Sequence, residues 1–193
     1  MIFKKMLKNI KTIYIILFIF VSNTTLADNQ EFNEWVSQFK IKAINKGISK
    51  TAVDQFMIDV KFLPKVIEYD RYQPEFYEST YVYIKKRTTK NKIKKGKSLY
   101  DKEKMIIDKI ELDFSVEKEL LLSLMGIETN FGNYLGKMNI ISSLATLSYD
   151  KRRSEFFTKE LLILLKLVDK KIIKKDILFG SWAGAFGNFQ FMP

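Results

Sequence analysis

Apolar residues recur at three- and four-residue intervals in one segment after another of this 193-residue chain. No segment shows a run of strand-like alternation. Phe32, Trp35, Val36, Phe39 and Ala43 fall on one side of a helix, and Gly47 follows where a C-cap is wanted. "SKTAVDQFM" reads as a second helix with Ser49 or Thr51 near its N-cap. "KVIEYDRYQPEFYESTYVYIKKR" mixes aromatic and charged residues around Pro74 and reads as a loop followed by a helix. Past Ser98, a candidate cap, Met105, Ile106 and Ile110 share another face. Ser115 is expected to cap "SVEKELLLSLMGIETNFG", with Glu117 and Glu119 in the first turn, where the helix dipole favours anions. "SEFFTKELLILLKLVDKKII" is a further amphipathic helix. There is no internal repeat, and the predicted fold class is mainly α.

Composition narrows the chemistry. There is no cysteine, so no disulfide, thiol nucleophile or lipid-bearing Cys is possible. There is no histidine, which removes the commonest general base and the usual zinc sites. Acid–base work must fall to Asp, Glu, Lys or Tyr. Residues 1–27 have the pattern of a secretory signal: basic "MIFKKMLKNIK", apolar "IYIILFIFV" and a small-residue "TLA" before Asp28. An uncleaved anchor is the rival reading, and the only expected route to membrane association. Removing residues 1–27 takes away four lysines and no acid, so the net charge falls from +11 to +7. A basic exported chain suits an anionic partner such as a cell-wall polymer or a membrane surface.

Residues 85–97, "KKRTTKNKIKKGK", hold eight basic residues. They are read as a solvated connector. Nucleic-acid binding is the other reading, but the aromatic interleaving that single strands favour is sparse and the signal argues against it. No nucleic-acid partner is expected.

Glu128 ends the apolar run in "ELLLSLMGIETNFG". It lies four residues after Leu124 and seven after Leu121, with Leu120 and Ile127 flanking that side. The spacing therefore predicts a carboxyl on the apolar face, at a helix C-terminus where the dipole disfavours its charge. Both effects favour the neutral acid, the form a general acid needs. A surface or capping glutamate is the plainer reading of the same pattern. A two-carboxylate glycosidase would want a partner acid. The next acids, Asp150 and Glu155, sit in the basic stretch "YDKRRSE" with no nucleophile context. The tail "FGSWAGAFGNFQFMP" packs Gly180, Gly184 and Gly187 among aromatics, as at tight turns or a close approach to a ligand.

Five pieces, in order, resemble the lytic murein transglycosylase B family, whose domain is lysozyme-like. They are "FNEWVSQFKIKAINKGIS", "VIEYDRYQPEF", "GIETNFGNYLGK", "SSLATLSYDKRRSEFFTKEL" and "GSWAGAFGNFQFMP". The resemblance covers nearly all of residues 28–193. It implies a helical N-terminal region (28–114) and a catalytic region (115–193). It also implies cleavage of the β-1,4 bond between N-acetylmuramic acid and N-acetylglucosamine in peptidoglycan glycan strands, without water, leaving a 1,6-anhydro ring. The family's single catalytic glutamate falls on Glu128, acting first as acid and then as base. Substrate contacts are implied for Arg152, Arg153, Phe156, Ser181, Gln190 and Phe191. Phe156 stands where members often have Tyr. Trp182, Phe186 and Phe189 are expected to be core in at least two cases. The family pattern continues past "QFMP", so the domain is expected to be incomplete at its C-terminal side. Members' calcium loop, where present, lies in that continuation, so neither cofactor nor metal is expected here. A periplasmic location is expected from the export signal, and a monomer is the expected state. The alternative is a wall-binding protein of the same fold that is catalytically inactive.

Overall fold

The computed structural model describes residues 29–72, 78–174 and 177–193. The signal reading and the Pro74 turn lie outside those residues. Helix α1 spans residues 29–45, α2 Lys50–Phe56, α3 Pro64–Arg71, α4 Thr80–Arg87, α5 Lys90–Phe114 and α6 Lys118–Thr129. Strand β1 (Met138–Asn139) leads into α7 (Ile140–Tyr149). Helix α8 (Ser154–Asp169) follows, and β2 (Phe179–Gly180) pairs antiparallel with β1. The mainly helical fold expected from periodicity is the one observed.

Helix α1 buries the predicted stripe of Phe32, Val36, Phe39 and Ala43. It stops at Gly47 (φ +84°), where Ile48 N–H reaches the Ala43 carbonyl (3.3 Å) and Gly47 N–H the Ile44 carbonyl (2.9 Å). That bond pair is a Schellman stop, and the left-handed φ makes glycine the favoured residue there. Ser49, one of the two anticipated caps, accepts from Ala52 N–H (3.2 Å). It also donates through its N–H and hydroxyl to Asp169 (2.9 and 2.6 Å), tying α2 to the end of α8.

The core is gathered around α7, whose residues Ile140–Ser148 are all buried. A helix of apolar residues and small hydroxyl residues, with no charge on any side, belongs in an interior. Its hydroxyls also fasten a loop: Ser142 Oγ accepts from Lys61 N–H (3.2 Å) and Thr146 Oγ1 from Leu63 N–H (3.0 Å). Leu161, Leu164, Leu165 and Val168 of α8 close the other side.

Several boundaries differ from the sequence reading. "VIEYDR" is helical within α3, because Pro64 supplies a favourable first turn. Residues 85–97 are no connector. They form the end of α4 and the first turns of α5, and Thr89 caps α5 by accepting from Lys92 N–H (3.4 Å). Ser98 consequently lies inside α5. Ser115 ends α5 in a left-handed conformation (φ 54°) instead of starting α6. The α6 N-terminus is served by Glu111 of α5, which accepts from Lys118 N–H (3.1 Å) and its ammonium (2.9 Å). A carboxylate there suits the dipole, and a neighbouring helix supplies it.

Candidate active site

Glu128 occupies the last turn of α6, directly before Thr129. The prediction of a carboxyl on a buried apolar face is corrected. Glu128 is exposed, and so are Leu120, Leu124 and Ile127 beside it. Burial on α6 goes to the opposite side, at Gly126 and Thr129. The reason is a single ring. Phe131 folds back between the helices, and a Cβ on Gly126 would stand 2.7 Å from it, one on Gly96 of α5 3.1 Å. Two glycines, one per helix, make room for that ring, and this turns Gly126 inward and Glu128 outward. Among the described residues Glu128 makes no hydrogen bond or ion pair.

The turn after Glu128 is tightly specified. Asn130 (φ 50°), Phe131 (φ 60°) and Gly132 (φ 79°) are consecutive left-handed residues. A bulky residue in that region is uncommon. It is held here by Phe131 N–H donating to the Met125 carbonyl (3.1 Å) and by the packing of its ring. Thr129, fully buried, accepts from Gly132 N–H (3.0 Å) and donates to the Asn188 carbonyl (2.8 Å). The threonine after the glutamate therefore pins the tail against the helix end. A second pin is Gly136 (φ +88°), where a Cβ would meet the Gly180 carbonyl oxygen at 2.0 Å. Side chains other than hydrogen do not fit.

These pins bring the tail candidates beside the loop that follows Glu128. Gln190 donates from its amide to the Leu135 carbonyl (3.3 Å) and the Gly187 carbonyl (2.9 Å). Ser181 Oγ accepts from Ala185 N–H (3.0 Å), which closes the tail turn. Phe191 is 71% exposed and stacks on Phe189, with ring centroids 6.2 Å apart. Trp182 and Phe186 pack on the core, as expected for two of the three aromatics.

Arg152 and Arg153 precede α8 and both bind Asp70 of α3. Arg152 Nε donates to Asp70 Oδ2 (2.6 Å) and its Nη2 to the Asp70 carbonyl (2.6 Å), while Arg153 Nη2 donates to Oδ1. The Asp70 side chain is 1% exposed. Burial pushes its pKa up, but the hydrogen bonds from Arg152 and Arg153 outweigh that and hold the carboxyl below the ordinary range. Phe156, 47% exposed, sits edge-on to Phe157. Asp150 accepts from Arg71 (2.8 Å). No hydrogen bond among the described residues links the arginines to the tail. The connection is aromatic: Tyr69, adjacent to Asp70, packs on Trp182 at 6.4 Å.

On the other side of α6 lies a cleft of about 430 Å³ against α5. Ile93, Leu122 and Phe131 are among its apolar walls, and Arg87, Lys92, Lys97 and Lys118 its cations. The tail candidates do not line it. The reading of residues 85–97 as wholly solvated thus misses three cleft-lining cations, Arg87, Lys92 and Lys97, together with Thr88, Ile93 and Gly96. Lys92 also donates to the Gly126 carbonyl (3.0 Å). Two site residues escaped the sequence reading altogether. Thr129 stood in plain view inside the motif, and Asp70 was hidden in an aromatic-rich segment read as loop.

Residues 31–193 match the transglycosylase SLT domain family. The chain belongs to that family. Membrane-bound lytic murein transglycosylase B of Escherichia coli (strain K12) is 33% identical over 112 residues, which are 58% of this chain and 31% of that protein. SltB3 from Pseudomonas aeruginosa, solved in complex with NAG-NAM-pentapeptide, superposes with a TM-score of 0.79 and 32% identity, over 83% of this chain and 43% of that one. The Escherichia coli lytic transglycosylase Slt35, solved with bulgecin A, gives a TM-score of 0.71 and 29% identity, over 82% and 51%. The fold is that of the lysozyme-like lytic transglycosylases. The chain spans about a third of the curated relative and about half of these solved structures. No helix among the described residues is long and apolar enough to cross a membrane.

Proposed function

We propose that this chain carries the catalytic glutamate of a peptidoglycan lytic transglycosylase, exported to the periplasm by residues 1–27. Residues 28–114 form its helical support and residues 115–193 its catalytic region. Glu128 protonates the glycosidic oxygen between N-acetylmuramic acid and N-acetylglucosamine. The muramoyl 6-hydroxyl attacks the anomeric carbon as that bond breaks, and Glu128 takes the hydroxyl proton. The proton count closes without water, and a 1,6-anhydro ring remains. One carboxyl suffices because the nucleophile belongs to the substrate. Arg152, Arg153, Phe156, Ser181, Gln190 and Phe191 are the proposed substrate contacts.

The observation that carries this reading is the double pin, Thr129 to Asn188 and Gly136 to Gly180, which seats the glycine- and aromatic-rich tail against the turn that follows Glu128, an exposed carboxyl with no partner among the described residues. The likeness to SltB3, whose solved complexes hold NAG-NAM-pentapeptide and NAG-anhNAM-pentapeptide, supports the substrate class. The test is release of 1,6-anhydromuropeptides from purified sacculi. Glu128→Gln is expected to lower release by about 10²–10⁴-fold, the scale of general acid–base assistance. Equal release by the variant would overturn the role of Glu128. Sedimentation with sacculi but no soluble product from either protein would favour the binding-only alternative.

A further inference from the structure

Both arginines are gripped along one edge and open along the other. Asp70 takes Arg152 Nε and Nη2 through its carboxylate and its own carbonyl, and takes Arg153 Nη2 through its second carboxylate oxygen. Arg153 also lies with its guanidinium 4.9 Å from the Phe157 ring centroid. Even so, the arginine side chains remain 47% and 40% exposed, above a carboxylate that is almost wholly covered. A guanidinium has five N–H donors, so most donors of the pair stay free. One carboxylate against two guanidinium groups leaves a net positive charge facing outward. Nearby Asp150 is already engaged by Arg71.

We propose that Asp70 is a positioning residue for substrate binding, holding the open edges of Arg152 and Arg153 side by side to receive a carboxylate of a muropeptide. This role rests on reading the arginines as substrate contacts. Long side chains lose rotamer freedom when they engage a ligand. Fixing them on Asp70 during folding removes that cost from the binding step. Asp70 sits on α3, about 80 residues before the arginines, so the bracket also fixes α3 to the start of α8. Tyr69 next door carries that placement on to Trp182 and the tail.

Titration with NAG-NAM-pentapeptide tests this. Asp70→Asn is expected to weaken binding about tenfold and, in a turnover assay, to raise KM while kcat stays within about twofold. Simple electrostatics predicts the opposite sign, because removing an anion should tighten binding of an anionic ligand. In an Arg152→Ala/Arg153→Ala background, adding Asp70→Asn should cause no further loss of affinity. Unchanged or tighter binding by Asp70→Asn, or a full additional loss in that background, would overturn the role of Asp70 alone. Failure of the unaltered chain to bind the fragment would overturn the proposed function and this role with it. Should Asp70→Asn not fold, the unaltered protein still decides. The guanidinium Nη–H resonances of Arg152 and Arg153 should shift as the fragment binds while Arg152 Nε–H keeps its hydrogen bond to Asp70, and unmoved Nη–H resonances or loss of that Nε–H bond on binding would refute the proposal.

Discussion

Helices α7 and α5 both carry apolar residues at helical spacing, but they live in different surroundings. Nine of the ten residues of α7 are buried, whereas Ile107 is the one buried residue among the 25 of α5. Met105, Ile106, Leu112 and Phe114 of α5 stand exposed, as do Leu120, Leu124 and Ile127 of α6. The same periodicity thus marks a core helix in one place and an uncovered face in another. Periodicity reports which side of a helix is apolar, and what packs there is a separate matter. Glu128 lies where the two regimes meet, at the end of the exposed α6 and one loop before the buried α7.

The sharpest way to break this comparison is to excavate the covered side. Leu164 of α8 is fully buried, so Leu164→Ala removes burial and leaves a cavity. The expected cost is about 2–5 kcal/mol in urea unfolding. A loss below about 1 kcal/mol would mean that the α7–α8 core is not the stabilising centre.

The seam should respond next. Gly136→Ala puts a Cβ into the Gly180 carbonyl and strains a left-handed backbone, so about 1–3 kcal/mol should be lost. Thr129→Val keeps shape but removes the hydroxyl and with it the bonds to Gly132 N–H and to the Asn188 and Met125 carbonyls, at about 1 kcal/mol or somewhat more. Amide exchange at Gly132 should quicken in that variant while exchange within α7 does not. Uniform quickening would show that the tail pin belongs to the global fold and not to the seam.

How much of this was legible beforehand follows from the same contrast. The stripe of α1, its glycine stop and the burial of α8 were readable, because each depends on a local pattern facing one core. The orientation of Glu128 was not. It depends on Phe131 choosing the gap between Gly96 and Gly126, two glycines thirty residues apart. Caps were missed for a related reason. Glu111 serves α6 from another helix, so no local cap signal at Ser115 had to be used. Asp70 gave no sign in sequence because its meaning comes from two arginines that only the fold brings to it.

Acidification probes that hidden carboxylate. Asp70 has a folded-state pKa below its unfolded value, so the stability it contributes is present above the ordinary carboxylate range and is lost as pH falls through the lower folded value. Unfolding followed from pH 6 down to pH 2 should show a decline that is shallower in Asp70→Asn. Identical slopes would mean that Asp70 does not hold its charge more tightly when folded.

The smallest effect is expected on the uncovered helix. Leu112 is 82% exposed and Met105 87%, so truncating either to Ala removes little buried surface. Each should change stability by less than about 0.5 kcal/mol in the same urea assay. The measurement is informative because apolar surface of this extent is where a protein meets something else. A loss at Leu112 approaching that at Leu164 would show the α5 face covered in solution. Sedimentation at several concentrations would then show whether a second copy covers it, since only self-association makes the effect of Leu112→Ala depend on protein concentration.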